Sequence, residues 1–110
     1  MAKKLKEPTY RDVIPPKNLE AERGLIGSLM RKPEIYHEIS GRVKAEHFYD
    51  YRHQIIFRTF GERVAEGLPI NDPILIPTDI KANDLLEEVG GYDFFQDLYT
   101  ETIHAANANH

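Results

Sequence analysis

The stretch Asn18-Leu19-Glu20-Ala21-Glu22-Arg23-Gly24-Leu25-Ile26-Gly27-Ser28-Leu29-Met30 sets Ala21, Leu25, Ile26, Leu29 and Met30 at the spacing of one helical face. Asn18 suits the N-cap of such a helix. Glu20 and Glu22 fall in its first turn, where the helix dipole favours acids, and Pro33 stands just past the apolar stripe. The pattern predicts a first helix over residues 19–31. Gly24 and Gly27 are its anomaly, because each costs roughly 1 kcal/mol against alanine inside a helix. Close packing resolves it: without a side chain at Gly27, and with Gly24 as a second candidate, another helix can cross near the backbone and pack on Leu25, Ile26 and Leu29.

Working outward, residues 1–16 mix lysines with Pro8, Pro15 and Pro16 and show no apolar period, which predicts a flexible or extended N-terminal arm. Pro33 suits the first turn of a second helix carrying Ile35, Tyr36, Ile39 and Val43 on one face, with Gly41 near its end. Ala45 to Tyr49 reads as a turn that throws Phe48 into the core. Ile55, Ile56, Phe57, Phe60 and Val64 then fit a helix from about Asp50 to Glu66, closed by Gly67 and Pro69. Asp72-Pro73 looks like another cap and helix start, but Pro77 removes a hydrogen bond, so a short, kinked or partly 3₁₀ helix is expected there. Leu85, Leu86 and Val89 add a further turn or two, ended by Gly90-Gly91 in left-handed conformations. A last helix carries Phe95, Leu98, Tyr99 and Thr102. The one β-branched cluster, Ile74 to Ile76, is bracketed by prolines, which suits at most a sheet edge. The fold class expected is all-α, a small multi-helix orthogonal bundle.

The 110 residues, 41% hydrophobic and 29% charged, suffice for one domain with one core. No run approaches the ~20 apolar residues of a membrane span and no signal-peptide pattern is present, so a cytoplasmic location is expected. The absence of cysteine excludes disulfides and thiol chemistry. The net charge of −4 is unevenly spread. Lys3, Lys4, Lys6, Arg11 and Lys17 crowd the N-terminus, whereas after Lys81 no lysine or arginine occurs and Asp84, Glu87, Glu88, Asp93, Asp97 and Glu101 follow. Such a C-terminal third repels a phosphate backbone and suits either a solvated face or a basic partner.

No phosphate-binding glycine loop, dinucleotide fingerprint or H-E-x-x-H motif occurs. His37, His47, His53, His104 and His110 do not combine with acids at metal-ligand spacing. Glu20 with Glu22, and Glu87 with Glu88, read as helix-start or surface charges rather than acid–base pairs. Tyr49, Tyr51, Arg52 and His53 fit two roles: stacking on unpaired bases, or starting a helix and wedging a loop against the core. The second is the commoner use of such residues.

Five blocks recur in a distinctive order: Pro15-Pro16 before Asn18 to Met30, F-Y-x-x-x-H-x-x-I-F over Phe48 to Phe57, Gly67-Leu68-Pro69-Ile70, L-L-E-E-V-G-G-Y-x-F-F-x-x-L over Leu85 to Leu98, and Ala105-Ala106-Asn107. Over residues 15–107 the sequence resembles the N-terminal domain of DnaB-type bacterial replicative DNA helicases. The resemblance implies a helical collar domain over residues 17–107, similar in fold to the helicase-binding domain at the C-terminus of bacterial primase. It also implies a tail at 108–110 cut short of the family's helical hairpin and RecA-like ATPase domain. The packing signature would be Leu25, Gly27, Leu29, Phe48, Phe57, Phe60, Gly90, Gly91, Phe95 and Leu98.

The function implied is ring assembly with neighbouring subunits and recruitment of primase, with a helicase loader as a further partner. The chain itself would have no catalytic activity, cofactor or metal, and ATP and Mg2+ would belong to the motor domain. DNA contact would be weak or indirect. Of the surfaces available, the acidic residues Glu87, Glu88, Asp93 and Asp97 are the candidate partner contacts. Two other functions fit the residues: a nucleic-acid-binding helical domain using Arg42, Lys44, Arg52 and the lysine arm, and a free-standing regulator that imitates the helicase domain. The sequence departs from the family where Asn71 stands before Asp72 and where Pro77 follows.

Overall fold

A computed structural model describes residues 10–108, with side chains through Glu101. All regular structure among the described residues is helical. A 3₁₀ turn at Tyr10–Asp12 is followed by α1 (Leu19–Arg31), α2 (Ile35–Ile39), a 3₁₀ turn at Ala45–His47, α3 (Tyr51–Ala65), α4 (Leu75–Ala82), α5 (Leu86–Val89) and α6 (Gly91–Ala108). The all-α expectation holds. Helix α1 packs against α6 and α3, and α3 in turn carries α4 and α5, so one core lies between them. Phe48, Phe60 and Phe95 are its largest fully buried side chains, with Ile26, Leu29, Ile56, Ile76 and Val89 beside them. Of the other expected packing residues, Phe57 and Leu98 are buried and Leu25 is partly buried against the core.

The helix ends follow the capping chemistry of the sequence. Asn18 Oδ1 accepts the Ala21 N–H at 2.9 Å, and Asp50 Oδ1 accepts the Arg52 N–H at 2.9 Å. After α3 the chain turns through Gly67 at φ 74°, where Leu68 N–H reaches back to the Arg63 carbonyl at 2.8 Å. Helix α4 is short, as expected, but α-helical rather than 3₁₀. It is α-helical from Leu75 to Ala82 with Pro77 inside its first turn, where a missing N–H costs little. Asp72 Oδ1 satisfies the two N–H groups ahead of it, at Ile74 (2.7 Å) and Leu75 (3.1 Å).

The expected N-terminal arm is also corrected in part. Residues 1–9 lie outside the described residues, but from Tyr10 the chain is packed: Tyr10 stacks flat on His47, ring centroids 3.8 Å apart, and Ile14 is 1% exposed within the core. Val13-Ile14 is the apolar pair that outweighs the prolines beside it, since burying one isoleucine contributes roughly 1.5–3 kcal/mol. At the other end Ala108 still belongs to α6, and residues 109–110 lie outside the described residues.

The structure separates the glycines of α1. Gly27 is buried, as close packing requires, whereas Gly24 is exposed and a Cβ there would meet nothing within 4 Å. Gly24 is therefore not a packing notch. A notch that the periodicity of α3 hides lies instead at Gly61, where an added Cβ would sit 2.9 Å from the Tyr36 hydroxyl. Burial of that phenol holds the Tyr36 pKa above its ordinary value.

The first turn of α1 contains a buried acid. Glu22 is 1% exposed, and its carboxylate accepts the backbone N–H of Tyr49, the N–H of Asp50 at 3.2 Å, and Nδ1–H of His53 at 2.8 Å. His53 is 2% exposed beside Phe48 and Phe94, and its Nε2 has no hydrogen-bond partner. Glu22 was expected to be a helix-start charge. It is instead the joint between α1 and the start of α3.

Two outcomes are expected in urea and thermal melts. Gly24→Ala should stabilise by about 0.5–1 kcal/mol and Gly27→Leu should destabilise by more than about 1 kcal/mol, opposite signs within one helix. Glu22→Ala should cost about 3 kcal/mol or more, because it leaves a buried imidazole and two backbone donors unpaired. At about 4–8 °C per kcal/mol for a domain of this size, its Tm should fall by more than 10 °C. A fall of only a few degrees would refute the joint.

Candidate partner-binding surface

Gly90 and Gly91, at φ 105° and φ 74°, reverse the chain between α5 and α6 and set the position of the acidic residues on either side. Glu87 and Glu88 on α5 and Asp93 and Asp97 on α6 are all exposed. Three of them fall in two places. Glu87 and Glu88 line an open cleft of 340 Å³ with Lys81, Asp84 and Leu86, so a cation of this chain stands among them. Asp97 lies near Arg23 of α1, whose pKa it helps to raise.

Two guanidiniums, of Arg23 on α1 and Arg52 on α3, flank Phe94 of α6. Arg23 binds Glu101 with both forks, Nε to Oε1 and Nη2 to Oε2, each at 2.8 Å, which ties α1 to α6. Arg52 binds Asp50 through Nη2 at 2.8 Å. Both guanidiniums stand 5.0 Å from the centroid of the Phe94 ring, where the negative π face favours them. Hydrogen bonding to Glu101 holds the Arg23 pKa above its ordinary value, and bonding to Asp50 does the same for Arg52. Reciprocally, the Arg23 fork holds Glu101, and the Arg52 fork holds Asp50, below the usual carboxylate value.

The mid-chain cluster is split by the fold. His53 faces the core, whereas Tyr49 and Tyr51 are exposed and Arg52 lies at the surface on Phe94. The wedge against the core is made by Phe48 and His53, not by the tyrosines. Lys44 is exposed and Arg42 half-buried. Sequence reasoning missed the buried partners: Glu22 with His53, and Arg63, which is 6% exposed and donates to the Pro69 carbonyl and to Asp79, each at 2.6 Å. The available signal was an acid, a histidine and an arginine each falling on the apolar stripe of its helix. Among the described residues no group of three or more His, Cys, Asp or Glu side chains could hold a metal ion, and no helix is long and apolar enough to cross a membrane.

The depressed carboxylates set the acid limb of stability. A carboxyl whose folded pKa is lowered stabilises the fold above its unfolded value, about 4, and that contribution is lost as the pH falls through the folded value. Asp50 is the better shielded of the two, at 14% exposure against 58% for Glu101. In urea melts, Asp50→Asn should therefore flatten the fall in stability below about pH 4. Glu101→Gln should cost less than about 1 kcal/mol at pH 7, as expected for an exposed pair.

Comparison with known proteins places this arrangement. Residues 14–110 match the model of the DnaB-like helicase N terminal domain. The chain is 31% identical over 101 residues to the replicative DNA helicase DnaB of Pasteurella multocida, covering 92% of this chain and 21% of that protein. It is 31% identical over 96 residues to the replicative DNA helicase DnaC of Bacillus subtilis, covering 87% of this chain and 21% of that protein. The chain thus spans about a fifth of the length of these curated relatives. Its fold is similar to the crystal structure of the N-terminal domain of DnaB helicase from Mycobacterium tuberculosis, with a TM-score of 0.71 and 22% identity over 78% of this chain and 59% of that one. The all-helical core built around α3, and a family match over nearly the whole sequence, establish that the chain belongs to the DnaB-like helicase N-terminal domain family.

Proposed function

We propose that this domain is a protein-interaction and ring-assembly module of a cytoplasmic replicative DNA helicase, which supports hexamer formation and recruits primase, with a helicase loader as a further partner. The observation that carries this reading is the family match over residues 14–110. The sequence has no phosphate-binding glycine loop, so ATP and Mg2+ would act in the motor domain of the helicase and not on these residues. The exposed acids Glu87, Glu88, Asp93 and Asp97 support a basic partner rather than nucleic acid at the α5–α6 corner, since carboxylates repel a phosphate backbone.

The test is sedimentation velocity of the purified chain alone and mixed with the helicase-binding domain of primase from the same organism. A new, heavier species is expected, and the charge reversals Glu87→Lys and Glu88→Lys should together weaken it about tenfold or more, with unchanged melts. Two independently sedimenting species at every concentration would overturn recruitment by this domain. ATP hydrolysis by the chain should be zero.

A further inference from the structure

We draw no further inference here: the strongest candidate, the largely apolar groove between the start of α2 and the α3–α4 loop lined by Pro33, Val64, Leu68, Pro69 and Ile70, is an open face, and nothing in the structure shows what covers it.

Discussion

The carboxylate of Glu22 is the contact on which the arrangement of the domain depends. It sits in the first turn of α1 and gathers donors from a segment 27 to 31 residues further on: the N–H groups of Tyr49 and Asp50 and the ring of His53. A buried acid is costly unless its oxygens are fully used, and here each oxygen accepts at least one donor. The bond fixes where α3 starts, and with it the direction of every side chain in the first turn. Phe48 and His53 go inward; Tyr49 and Tyr51 go outward.

The far end of α3 is held by the same device with the charge reversed. Arg63, almost fully buried, donates to the Pro69 carbonyl and to Asp79, so one guanidinium ties the loop after α3 to α4. An apolar residue at either position would pack, but it would satisfy none of the backbone groups that the turns around α3 leave unpaired. Helix α6 is joined differently, by buried Phe95 and Leu98 and by the exposed Arg23–Glu101 pair, so its attachment to α1 rests mainly on packing and little on charge.

This arrangement decides which carboxylates face solvent. The acids of the α5–α6 corner are exposed, whereas at the start of α3 Glu22 and Asp50 are engaged by internal donors while Glu20 and Glu46 stay at the surface. The domain's net negative charge therefore says little about either surface. What matters is which carboxylates the fold has already paired.

The sequence by itself determined the helices and most of their ends, because Asn18, Asp50, Gly67 and Gly90 act on bonds within a few residues of themselves and the apolar stripes repeat at the helical period. It also carried the family, through short blocks in fixed order. Pro77 was misread because its effect depends on where α4 begins, and the Tyr10–Ile14 segment because its partner, His47, is far along the chain. Only the tertiary structure decided that Glu22 is buried while Glu20 is not, that Gly27 is enclosed while Gly24 is open, and which acids stay free at the surface. Each of those outcomes depends on a neighbour supplied by another helix, and helical periodicity locates a face without saying what covers it.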